Sequence, residues 1–65
     1  MELIAIEHVG SNKMILWRKK DYEYTVDLLV DGNMETSQEV ARWSCEYYNA
    51  LSRFNDLVKT QKELV

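Results

Sequence analysis

The sequence predicts a small α+β domain in which an antiparallel meander of three or four strands is covered on one face by a single C-terminal helix. Two observations lead to this prediction. The first half of the 65-residue chain has short apolar stretches, the clearest with a period of two, and from Thr36 the apolar period changes to 3.6. The only glycines, Gly10 and Gly32, fall between stretches typical of strands. The length suits one domain, residues 1–65.

The first two predicted strands span residues 2–9 and 13–19. Residues 2–9 are rich in Ile, Leu and Val and are too few for a stable helix, and a turn cluster that begins at Gly10 ends them. Residues 13–19 contain the run Met-Ile-Leu-Trp, and the polar pair Lys20-Asp21 is expected to turn the chain again.

The third strand, at residues 22–30, has the clearest signal, because its even-numbered side chains are all aromatic or aliphatic. Asp31-Gly32 follows it and matches the preference of two-residue type I′ hairpins for residues that accept positive φ. We therefore expect a short fourth strand at about residues 33–35.

One helix is predicted at about residues 37–62. Thr36 and Glu39 form a capping box at its start. A stripe of apolar side chains then recurs at helical spacing, and the opposite side is polar or charged. The stripe consists of Val40, Trp43, Tyr47, Leu51, Phe54 and Val58, with Ala50 and Leu57 at its edge.

The pattern of the third strand predicts which of its two sides faces the helix. The second strand has apolar side chains on both sides, so its pattern does not predict this. A connection of even length before the third strand places Ile15 and Trp17 on the helix side. An odd length places Met14 and Leu16 there instead. We prefer the even length, because Lys20-Asp21 suits a two-residue connection.

With either length, one helix covers only one side of the sheet, and apolar side chains remain on the other side. Contiguous exposed apolar surface on a small domain usually marks an interface, so we expect self-association or a protein partner. With the even connection the predicted protein interface consists of Leu3, Ala5, Met14, Leu16 and Leu29. If the register fails, Ile4, Ile6, Ile15 and Trp17 take this place.

Two further surfaces are candidates for contact. Tyr48 and Cys45 lie off the helix stripe and form either a second contact patch or the flank of a wide apolar stripe. A basic run beside Trp17 supports an alternative function, nucleic-acid binding, since aromatic residues and cations on a sheet bind unpaired bases. The residues of this alternative are Lys13, Arg18, Lys19 and Lys20. The net charge of −3 argues against it.

Catalysis, cofactors and resident metals find no support in the sequence. The single histidine, His8, and the single cysteine, Cys45, are not placed together by any motif, and the two glycines are too far apart for a phosphate-binding loop. One thiol and a start without basic residues suggest the cytoplasm. We expect a non-enzymatic inhibitor or adaptor, homodimeric or bound to another protein, of the kind that phages and mobile elements encode.

Overall fold

The computed structural model describes residues 1–40 and 46–64. Four antiparallel strands in the order β1-β2-β3-β4 form one open sheet, and one helix follows them. The elements are β1 (Glu2–Val9), β2 (Asn12–Lys20), β3 (Glu23–Val30), β4 (Asn33–Val40) and α1 (Glu46–Leu64). The predicted α+β meander with a C-terminal helix is confirmed.

Tight turns connect the strands, and their residues adopt the positive φ angles that such turns need. Asp31 and Gly32 have φ of 53° and 86°, as a type I′ hairpin requires at both central positions. In the β1–β2 turn Gly10 has φ of 60°, a value that is easy for a residue without Cβ. The two turns lie at the same end of the sheet, where Ser11 Oγ donates a 2.5 Å hydrogen bond to Asp31 Oδ1.

An extra residue in β2 sets which side of this strand meets the helix. Arg18 pairs with Tyr24 and Lys20 pairs with Glu23, so Lys19 is left over as a β-bulge. Side chains alternate between the two sides of a strand. One extra residue therefore moves the side chains of β2 that precede it to the opposite side of the sheet. The expected facing of β2 is therefore wrong. The connection has the preferred length of two residues, but it consists of Asp21 and Tyr22 rather than Lys20 and Asp21. The bulge reverses the effect of its length.

The helix side of the sheet carries the core. Met14 and Leu16 on β2 are fully buried and lie opposite Leu28 and Val26 on β3. The helix adds three buried apolar side chains at a spacing of four residues, which places them on one side of α1. The buried cluster consists of Val9, Met14, Leu16, Tyr24, Val26, Leu28, Ala50, Phe54 and Val58.

A second bulge, in β1, brings two neighbouring side chains to the helix side. The pairing with β2 skips Ile4, which lies between Leu3 and Ala5. Ile4 and Ala5 are half-buried and both pack against the core. Leu3 and Ile6 point away from the helix and are 50% and 42% exposed.

The fourth strand is longer than expected. It extends to Val40 rather than ending near residue 35, so Thr36 and Glu39 lie in a strand and do not cap a helix. The Asp31-Gly32 turn aligns this segment with β3, whose backbone N–H and C=O groups would otherwise lack partners along that edge. Cross-strand pairing therefore outweighs the modest helix propensity of the segment.

The described helix spans Glu46–Leu64, whereas residues 37–40 of the helix predicted at 37–62 belong to β4. Val40, predicted for its stripe, belongs to β4, and Trp43 lies outside the described residues. The later part of the stripe does face the sheet, where it packs mainly on β2 and β3. Its described members are Tyr47, which is 39% exposed, the half-buried Leu51 and Leu57, and the buried Ala50, Phe54 and Val58.

A polar contact holds the C-terminal part of the helix against the sheet. Asn12 Nδ2 donates a 2.9 Å hydrogen bond to Gln61 Oε1, and Gln61 is only 8% exposed. A buried amide requires such a partner, so the contact favours one position of α1 along the sheet. Lys62 in the last turn suits the negative end of the helix dipole.

Leu16→Ala is expected to lower the free energy of unfolding by about 2–5 kcal/mol, because it leaves a cavity in the core. Leu3→Ala removes the same atoms from a half-exposed site and is expected to cost less than about 1 kcal/mol. Urea denaturation followed by circular dichroism measures both values. Similar losses in the two variants would contradict the observed facing of β2.

Tyr22, at the tip of the β2–β3 hairpin, has φ of 63° although it carries a bulky side chain. Its side chain is 58% exposed and has little packing to lose. Tyr22→Gly is therefore expected to raise the free energy of unfolding by about 0.5–1 kcal/mol, through relief of backbone strain. Tyr48→Gly, at an exposed helical tyrosine, serves as the control and is expected to lower it by about 1 kcal/mol. Thermal and urea unfolding test this difference in sign.

Candidate functional site

The side of the sheet that points away from α1, which we call the outer face, is covered by none of the described elements. Cross-strand pairing arranges its side chains in three rows, since directly paired residues share a face. Read from β1 towards β4, the rows are Leu3–Trp17–Thr25, Ile6–Ile15–Asp27–Ser37 and His8–Lys13–Leu29–Met34.

Apolar side chains on this outer face reach solvent. Leu3, Ile6 and Met34 are 50%, 42% and 57% exposed. Trp17 and Leu29 are half-buried by their neighbours. Side chains of this type are usually buried in small domains, and their occurrence together on one face is typical of a binding surface.

The structure places the five residues of the preferred interface set on two different sides of the sheet. Leu3 and Leu29 lie on the outer face as predicted, whereas Met14 and Leu16 lie in the core and Ala5 packs against it. Met14 and Leu16 are therefore not available for a partner on the outer face, and Ala5 faces the core. The Lys19 bulge accounts for Met14 and Leu16, and the Ile4 bulge accounts for Ala5.

The alternative interface set agrees better with the structure. Ile6, Ile15 and Trp17 lie on the outer face, although Ile15 is only 8% exposed. Ile4 does not, because the β1 bulge turns it to the core. Met34 was missed by both sets. Its place follows from the two-residue Asp31-Gly32 turn, which pairs Leu29 directly with Met34.

A carboxylate occupies the middle of the outer face. Asp27 is only 7% exposed, and its Oδ1 accepts a 2.8 Å hydrogen bond from Ser37 Oγ on β4. Ile15 lies beside it on β2. The hydrogen bond thus holds an acidic group in a surface where apolar and polar side chains are mixed.

Two of the four residues predicted for nucleic-acid contact are in ion pairs. Arg18 lies 2.6 Å from a Glu2 oxygen and 3.9 Å from an Asp21 oxygen, and Lys20 lies 3.5 Å from a Glu23 oxygen. These acids reduce the positive charge that phosphates would meet. Lys19 also has an interaction within the chain.

Lys13 does not join these basic residues. It lies near the other end of β2, on the outer face, paired with His8 on one side and Leu29 on the other. An open cleft of about 360 Å³ does lie beside the remaining basic residues, but its walls contain both signs of charge. It is lined by Met1, Glu2, Arg18, Lys19, Lys20 and Asp21.

The predicted second patch is described only in part. Tyr48 is 72% exposed, and its ring centre lies 5.6 Å from that of Tyr47. The Tyr47 ring in turn lies 5.8 Å from that of Tyr24, at the border of the core. Cys45 lies outside the described residues. The described tyrosines therefore form an aromatic path from the core to the surface of α1.

Groups for metal binding do not converge in the described part of the chain. His8 is exposed on the outer face beside Lys13. Within residues 1–40 and 46–64, no three His, Cys, Asp or Glu side chains are placed to hold a metal ion. No described helix is both long and apolar enough to span a membrane.

Comparisons of the chain with protein-family models, with curated proteins and with solved structures found no match. The function is therefore argued from the geometry of the outer face and from the charges around it.

A titration with a single-stranded oligonucleotide at low salt is expected to show no binding at micromolar protein, because Arg18 and Lys20 are already paired with acids. Fluorescence anisotropy of a labelled oligonucleotide measures this. Binding that weakens in Lys19→Glu would instead restore the nucleic-acid alternative.

Proposed function

We propose that the protein is a non-enzymatic module that binds another protein chain through the outer face of its sheet. The observation that supports this is the exposure of Leu3, Ile6 and Met34 on one face that the described fold leaves uncovered. Burial of apolar surface contributes about 25 cal/mol per Å², so these side chains favour contact with a partner. Trp17 adds an aromatic residue of the type that often dominates binding energy.

An inhibitor or adaptor role, of the kind that phages and mobile elements encode, fits this proposal. Such a role needs a contact surface and no deep cavity, which a domain of 65 residues can supply. We include a cytoplasmic location in the proposal, since a chain with one cysteine forms no internal disulfide. Either a foreign protein or a second copy of the chain serves as partner under this proposal.

The face is favoured over the sheet edges as the contact surface. In β1 the Ile4 bulge interrupts the regular strand, and Glu2 and Glu7 place charges along it. In β4 the pairing skips Glu35, which forms another bulge. Bulges and charged residues on edge strands discourage the addition of a further strand.

The three methionines provide an internal test of this proposal. Met1 and Met34 are 78% and 57% exposed in the single chain, whereas Met14 is fully buried. Hydroxyl-radical labelling with mass spectrometry is expected to modify Met1 strongly, Met14 weakly and Met34 weakly, because a partner covers the outer face. The labelling is done on purified protein over a range of concentrations and in extracts of the source cells.

Ile6→Glu is expected to restore labelling of Met34, since it places a charge within the apolar contact. Leu64→Glu, at an apolar residue on α1 that is 75% exposed, is the matched control and is expected to leave Met34 protected. Strong labelling of Met34 in the wild type, both when purified at high concentration and in extracts, would overturn the proposed function.

A further inference from the structure

The outer face has a pattern of four quadrants across the two rows that begin at Ile6 and His8. Ile6 and Ile15 form one apolar quadrant, and Leu29 and Met34 form another at the opposite corner. The other two corners are polar and of different character. One corner holds His8 and Lys13, and the other holds Asp27 and Ser37. An apolar diagonal therefore separates a basic corner from an acidic corner.

We propose that the occupant of the outer face is a second copy of this chain, stacked face to face about a two-fold axis that runs along the apolar diagonal. This inference rests on the proposed function, because it names the partner of the same face. Such an axis places each apolar quadrant on its own twin. It also exchanges the two polar corners, so that the basic corner of each copy lies over the acidic corner of the other.

The charge arrangement favours a second copy over an unrelated protein. Lys13 and Asp27 are diagonal neighbours on adjacent strands, on either side of the diagonal. A two-fold axis between them sets Lys13 over Asp27 of the second copy and repeats the same pair on the other side. Ile15 lies next to this axis and meets its own twin. One surface thus supplies both halves of a complementary contact.

The contacts of Lys13 and Asp27 within their own chain agree with this arrangement. Among the described residues Lys13 has no ion-pair partner within its own chain, although it is half-buried. Asp27 is held in place by Ser37 and is 7% exposed, so a second chain reaches only a small part of this residue. A cation without a partner beside an apolar surface is stabilised when a second chain provides a carboxylate.

The size of the face also suits a second copy. Four strands about 4.8 Å apart and eight residues long at about 3.4 Å each span about 19 × 27 Å, or about 500 Å² in projection. A stable interface usually buries about 800 Å² per partner. An occupant must therefore cover the whole face to approach this value, and a second copy has a face of equal size.

Charge exchange tests the pairing of Lys13 with Asp27. Lys13→Glu is expected to weaken the dimer about 100-fold, because it creates two carboxylate contacts, each with an effect of about tenfold. Lys59→Glu makes the same change of net charge on the exposed side of α1 and is expected to leave the dimer unchanged. Sedimentation velocity over a range of concentrations gives the dissociation constants, and circular dichroism checks that each variant is folded.

Restoration of the contact gives the decisive result. In the double variant Lys13→Glu with Asp27→Lys, both pairs have opposite charges again, so dimer affinity is expected to recover at least tenfold over Lys13→Glu. Mixing the two single variants is expected to form a heterodimer for the same reason. If Asp27→Lys does not fold, Asp27→Asn keeps the side-chain size, and its dimer is then expected to be insensitive to Lys13→Glu.

The outcomes separate this inference from the proposed function. A dimer weakened by Lys13→Glu and restored by charge exchange supports both. A dimer that resists Lys13→Glu but is lost in Ile6→Glu overturns the charge pairing and leaves the outer face as a binding surface. A monomer whose Met34 is protected only in cell extracts overturns the second copy and supports a foreign partner. A monomer with Met34 labelled in both settings overturns both.

Discussion

The one-residue bulge at Lys19 is the constraint on which the arrangement of this domain depends. It lies between two residues paired with β3, and it turns β2 over so that Met14 and Leu16 meet the helix. The same residue therefore decides the composition of the core and of the outer face. Without it, Ile15 and Trp17 would pack under α1, and the surface offered to a partner would consist of different side chains.

One helix can cover only one side of a four-stranded sheet that has apolar residues on both sides. The helix covers β2 and β3 most closely and is aligned by the contact between Asn12 and Gln61. On the outer face, Leu3, Ile6 and Met34 stay exposed in the described part of the chain. Under the proposed function, another chain covers these groups, and binding then adds to the stability of the domain.

Charge has a different role at the two ends of β2. At the hairpin end, Arg18 and Lys20 are paired with acids, which fixes the local structure and lowers the attraction for phosphates. At the other end, Lys13 lies on the outer face close to Asp27 on the neighbouring strand. Arg18, Lys20 and Lys13, which are close in the sequence, therefore lie on two different surfaces. Only on the outer face, beside Lys13, are charged and apolar side chains mixed as is typical of a protein contact.

The sequence by itself determined what depends on local signals. These are the order of the elements, the Asp31-Gly32 turn, the buried even-numbered side of β3 and the stripe of Phe54 and Val58, each set by propensity or period within a few residues. The bulges and the length of β4 were decided only by the tertiary structure. They in turn determine which side chains lie on the outer face. These depend on hydrogen bonds and packing between strands, which no single segment contains and which outweigh local preference where the two differ.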